Sequence, residues 1–182
     1  MSGGHGHVDH GGNKGVALLI SVLALVLAFS ETLGKSAQTN ALAMNIEASN
    51  LWAFFQAKTI RQAVLRTAAE QAEAGNPSDA ARKQAATWRK TAQRYQNEPE
   101  TGEGRDQLAA RAKEAEKKRE RSMAAYHHYE MASAGVQIAI VLTSASIITS
   151  IPALVWLASA LGVLGLAFCA IGFFAPTAVH LF

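Results

Sequence analysis

The sequence predicts an all-α integral membrane protein: three transmembrane helices, with a cytoplasmic antiparallel helical bundle, coiled-coil-like, between the first and the second. Three observations predict it. Residues 136–174 hold no Asp, Glu, Lys, Arg or His over thirty-nine positions, where about 20 apolar residues suffice for one crossing. A second apolar block, GVALLISVLALVLAF, fills 15–29. Between the two, the chain is rich in Ala, Gln, Lys and Arg, which are good helix formers.

Composition bounds the function classes. The chain has 182 residues and a formal charge of +3, too modest to imply a nucleic-acid partner. Cysteine occurs once, at Cys169, so neither an intrachain disulfide nor a cysteine zinc site can form. Inside an apolar run, that thiol reads as a small packing residue.

Residues 1–14 form a Gly/His-rich tail with no hydrophobic periodicity, expected to be flexible. His5, His7 and His10 lie close together in it. Neutral imidazoles at such spacing are weak candidates for Zn, Ni or Cu, against the simpler reading of a wet polar terminus. The first transmembrane helix is placed at 15–34. A signal peptide competes for this block, because Lys14 precedes it and Ala28-Phe29-Ser30 resembles a cleavage site. Charge placement favours a retained helix: sixteen of the seventeen Lys and Arg lie between Lys35 and Arg121. The positive-inside rule then puts the polar segment in the cytoplasm.

That segment, 35–133, reads as helix with two interruptions. Residues 36–74 contain neither Pro nor Gly and can extend the first span into one helix of about 60 residues. Met44, Ala48, Leu51 and Phe55, then Ala57, Ile60, Val64 and Ala68, form a seam that drifts around the axis. Gly75-Asn76-Pro77-Ser78-Asp79 stops this helix and starts the next, with Ser78 as N-cap. Over about 79–97 a seam of Ala81, Ala85, Trp88, Ala92 and Tyr95 alternates spacings of four and three, as in helix-on-helix packing; Trp88 and Tyr95 on it read as packing residues. Residues 97–104, acidic and rich in breakers, read as a loop. From Arg105 the chain is helical again, with Glu114–Lys118 and Glu116–Arg119 spaced for ion pairs and a thin seam of Leu108, Ala112 and Ala115. Tyr126-His127-His128-Tyr129 falls where this helix enters the membrane, and there the rings read as interfacial anchors.

Proline at 152 divides the apolar run into spans at 134–151 and 152–176, followed by a short tail at 177–182. The first span carries hydroxyls; the second carries Gly162, Gly165 and Gly172, a face on which helix backbones approach closely, within the chain or between subunits. The hairpin holds no ionisable side chain, which disfavours a pump or transporter. Glu31 lies at the end of the first span, where it is expected to reach water.

No phosphate-binding, dinucleotide, metalloprotease or nucleophile-elbow motif occurs, so neither catalysis nor a cofactor is expected.

The stretch Trp52-Ala53-Phe54-Phe55-Gln56-Ala57-Lys58 resembles an uncharacterised family of bacterial membrane proteins, domain of unknown function four-three-three-seven. Its members show Trp, two aromatics and Gln-Ala-Lys after one transmembrane helix. Arg94-Tyr95-Gln96-Asn97-Glu98 is similar to the family's later Tyr-x-x-Glu stretch. The Gly/His tail departs from the acidic tail usual in the family. The resemblance implies this topology and a bacterial inner membrane, but no activity. From the residues themselves, Gln56 and Lys58 are expected to hydrogen-bond a facing helix while Trp52 and Phe55 fill its groove, as bundle core or as a docking site.

The functional expectation is a non-enzymatic inner-membrane scaffold in contact with the lipid bilayer, a homo-oligomer through its helices. An accessory subunit of a larger membrane complex and an oligomeric ion- or metal-handling channel are the alternatives.

Overall fold

Four helices follow from the sequence pattern, with the breaks where Gly and Pro stand. In the computed structural model, which describes residues 10–179 and their side chains from Lys14 onward, α1 is His10–Glu73, α2 Asp79–Gln96, α3 Arg105–Thr149 and α4 Pro152–Phe174. His5, His7 and the side chain of His10 lie outside the described residues. α1, α3 and α4 are each long and apolar enough to cross a membrane. The helices build two compact units, one from residues 1–40 and 121–182, the other from 41–120; α1 and α3 contribute to both.

The turns are built by local chemistry. Gly75 takes a φ of +77° and Gly102 one of +68°, the left-handed region where a Cβ is penalised. The hydroxyl of Ser78 accepts from Ala81 N–H at 3.3 Å and caps α2. Replacing Ser78 with alanine is expected to lower stability by about 1 kcal/mol, read by thermal unfolding under circular dichroism. α3 ends at Thr149, and Ser150, at a φ of +56°, leads into α4 with Pro152 in its first turn, where the missing N–H would have no helical acceptor anyway.

In the unit of 1–40 and 121–182, Leu23, Val136, Ala139 and Ala158 form the buried centre. The glycines of α4 are consumed inside this unit. A Cβ on Gly162 would stand 2.7 Å from Leu23 Cδ2, one on Gly165 2.6 Å from Val136 Cγ2, and one on Gly172 3.1 Å from both His128 Cβ and Tyr129 Cε1. At these three glycines α1 and α3 of the same chain occupy the face. Thr143, Ser144 and Thr149 bond back to carbonyls one turn earlier, while Ser30 and Ser133 join α1 to α3 through their hydroxyls at 2.8 Å. Glu31 is exposed and accepts from the Gln137 amide at 3.3 Å.

His128 and Tyr129 also differ from the anchor reading. They are 1% and 4% exposed. The His128 ring stacks on Phe168 at 6.1 Å, and its Nε2 lies 3.1 Å from the Pro176 carbonyl. Adjacent residues on a helix point about 100° apart, so of the four rings the pair at 128–129 turns inward, and only Tyr126 and His127 are partly open.

In the unit of 41–120, α1 presents a heptad seam. One row is Ala41, Ala48, Phe55, Gln62 and Ala69, the other Met44, Leu51, Lys58, Leu65 and Ala72, and all are buried or half-buried. The seam expected from apolarity alone holds from Met44 to Phe55; beyond it Ala57 and Ala68 stay half-buried while Ile60 and Val64 turn outward. Ile60 and Val64 are 65% and 62% exposed, whereas Lys58 and Gln62 are 4% and 2% exposed. Strict seven-residue spacing selects Lys58 and Gln62, and both find partners inside. The expected ion pairs along α3 do not form: Glu116 accepts the Trp52 indole N–H at 2.9 Å, and Arg119 reaches Asn45 and Glu120. Leu108, Ala112 and Ala115 are buried, and Leu51, Trp52 and Phe55 pack against the first two.

Candidate functional site

The chemistry that the sequence singles out converges on Lys58. Its position in the heptad aims the side chain away from solvent, and its four-carbon stem carries the ammonium to the loop that joins α2 to α3. There Nζ lies 3.3 Å from Glu98 Oε2 and 3.7 Å from Glu103 Oε2. Two rings complete the cage: Nζ stands 5.2 Å from the centroid of Phe54 and 5.6 Å from that of Tyr95, within the range where a ring quadrupole attracts a cation. The two stretches that carry the family resemblance, 52–58 and 94–98, therefore meet at one ammonium group. Glu98 is shared, because Arg94 Nε approaches its other oxygen at 3.4 Å.

One turn further along α1, Gln62 continues the same device. Its amide donates to the Ala92 carbonyl at 2.9 Å and to Gln96 Oε1 at 3.3 Å, and its own oxygen accepts from Arg105 Nη1. Arg105 donates to Gln96 Oε1 at 2.9 Å and lays its guanidinium 4.8 Å from the Phe55 ring centroid. Its Nε is buried without a hydrogen-bond partner. Each member of this network fixes the rotamer of the next, with Arg105 Nε the one atom left unpaired in it.

The loop itself is held at both ends. Gln107 accepts from the Glu98 backbone N–H at 3.3 Å and donates to Asn97 Oδ1. A Cβ at Gly104 would collide with Gln107 Oε1 and the Glu98 backbone nitrogen, so only glycine lets the loop close here. Beside it, Trp52 and Phe55 meet edge to face at 5.4 Å. Further along, Arg89 makes a two-pronged pair with Glu73.

Of the residues singled out in sequence, the structure brings Trp52, Phe55, Lys58 and Tyr95 to this one place. Lys58 binds the α2–α3 loop rather than a facing helix. Gln56 is exposed and makes no hydrogen bond among the described residues, because it lies outside the heptad rows. Trp88 is half-buried on α2. Gly162, Gly165 and Gly172 belong to the other unit. Sequence reading missed Gln62, Glu103 and Arg105, and named Glu98 within the family stretch without giving it a role. The available signal was Gln62 following Lys58 by four residues, so that a buried lysine and a buried amide stack on one face. Among the described residues no cluster of three His, Cys, Asp or Glu could hold a metal ion.

The described residues are all-helical, in four helices of which three are long and apolar enough to span a membrane. The chain belongs to the family described as domain of unknown function DUF4337, whose model matches residues 12–175. No curated protein and no solved structure matches it.

Proposed function

We propose that this chain is a non-enzymatic structural or assembly protein of the bacterial inner membrane, crossing the bilayer three times and self-associating through its helices. The helical unit of 41–120 stands in the cytoplasm as an antiparallel bundle. The observation that carries this reading is the closed clamp at Lys58. Lys58 is paired with Glu98 and Glu103, and Gln62 is bonded to the Ala92 carbonyl, Gln96 and Arg105. Such an arrangement holds helices at fixed spacing and leaves none of these groups turned to a substrate. The concentration of Lys and Arg between 35 and 121 supports the cytoplasmic side.

Native mass spectrometry of the protein extracted in lipid nanodiscs tests the reading. A pure homo-oligomer is the expected result. A fixed ratio with another protein overturns self-assembly in favour of an accessory subunit, and a monomer overturns both.

A further inference from the structure

The unit of 1–40 and 121–182 contains a pocket of about 240 Å³. α1 walls it with Leu33, Ser36 and Asn40, α3 with Arg121, Ser122 and Tyr129, and Gly172 and Phe173 close it at the end of α4. Arg121 is the one charged residue in the lining, and no carboxylate belongs to it. The polar groups are uncommitted. Arg121, Ser36, Asn40 and Ser122 make no hydrogen bond or ion pair among the described residues, whereas Ser21, Thr32 and Thr39 of α1 bond back to carbonyls one turn earlier. Tyr129 is the sharper case. It is 4% exposed, and a phenol so buried ordinarily finds a partner, yet its hydroxyl has none among the described residues. The tip of its ring lies against Gly172, where a Cβ would stand 3.2 Å from Cζ, while its own Cβ lies toward Gly34. The hydroxyl is therefore directed to the Gly172 side, into this pocket.

The level of the pocket names its ligand. α4 has 23 residues, about 34 Å at helical rise, against a hydrocarbon core of about 30 Å. When α4 crosses a bilayer, its last turn, with Gly172 and Phe173, emerges among the headgroups. Arg121 stands about 12 Å beyond Tyr129 along α3, away from the apolar run. We infer that the pocket binds the headgroup of an anionic phospholipid. Arg121 pairs with the phosphate, Ser36, Asn40 and Ser122 donate to its oxygens, and the Tyr129 hydroxyl donates to an ester carbonyl below it. The inference rests on the three-span reading above and not on self-association. A donor at the edge of the hydrocarbon with a cation outside it matches the order in which a phospholipid presents ester and phosphate. A free phosphate held by Arg121 would leave the Tyr129 hydroxyl unbonded. A basic pocket between spans, without a carboxylate to repel the ligand, suits a headgroup of net negative charge.

Native mass spectrometry of the full chain in detergent, titrated with phosphatidylglycerol, phosphatidylcholine or inorganic phosphate, tests the inference. Phosphatidylglycerol is expected to bind in preference to the other two. Arg121→Gln is expected to weaken it about tenfold and Tyr129→Phe, which keeps the ring, about fivefold, as for the loss of a charged and of a neutral hydrogen bond. Lys35→Gln removes an equal charge close by but outside the lining, and is expected to change binding by less than about twofold. Equal losses for Lys35→Gln and Arg121→Gln, or no response to Tyr129→Phe, overturn the pocket in favour of a diffuse basic surface. Equal binding of the two lipids overturns the anionic headgroup, and inorganic phosphate that binds as tightly as phosphatidylglycerol overturns the lipid as the source. A chain that alkaline carbonate releases from membranes overturns the three-span reading and this inference with it; the other outcomes leave that reading standing.

Discussion

Leucine in place of Gly165 is expected to weaken the helical hairpin of α3 and α4 by about 3 kcal/mol, the upper end for overpacking a close helix contact. A Cβ alone would stand 2.6 Å from Val136 Cγ2 and 3.3 Å from the Ala132 carbonyl oxygen. The first contact is with a β-branched side chain of few rotamers and the second with backbone, so neither can step aside. Alanine at the same place is expected to cost about 1 kcal/mol. Unfolding in lipid bicelles under increasing denaturing detergent reads both values. Leucine at Gly15, where a Cβ would meet nothing within 4 Å, is expected to leave the midpoint unchanged. If Gly165→Leu behaves like Gly15→Leu, the close approach of the two helices does not hold in the bilayer.

Methionine in place of Lys58 is expected to destabilise the 41–120 unit by about 2 kcal/mol. Breaking a buried ion pair commonly costs more, because it strands the partner charge. Here Glu98 keeps Arg94, and Glu103 is half-exposed, which reduces the loss. The cation–ring contacts with Phe54 and Tyr95 go with the ammonium. Adding Glu98→Gln to Lys58→Met is expected to recover at least half of the loss, since the stranded carboxylate disappears. Chemical denaturation of the full chain measures single and double variants. Additive losses would show that Lys58 and Glu98 act independently and that the clamp is not a unit.

The wider pattern of this protein is legible from residues in isolation. Gly75, Pro77, Pro99, Gly102 and Pro152 mark the breaks because each changes what the backbone itself can do. Leu108, Ala112 and Ala115 fall on the buried face of α3 by spacing alone. The lower half of α1 is different. Apolarity favours Ile60 and Val64 for the core, yet the structure exposes them and buries Lys58 and Gln62. A lone ammonium costs several kcal/mol to desolvate, so its place in the heptad does not by itself secure its burial. Glu98, forty residues away, and Glu103 and Tyr95 make it tolerable. The same holds for Tyr129 and His128: their position near the apolar run predicts interfacial rings, and Gly172 and Phe168 on α4 draw them inward.

The sequence by itself determined that the chain is helical, where its helices break and which three are apolar enough to cross a bilayer. Those properties depend on single residues and their neighbours one turn away. Only the tertiary structure decided which face of α1 is the core, that the α4 glycines are taken up within the chain, and that the two family stretches close around one lysine. Each of these depends on contacts between residues far apart in sequence, and the free energy of burying a charge or omitting a side chain is set by the partner it meets.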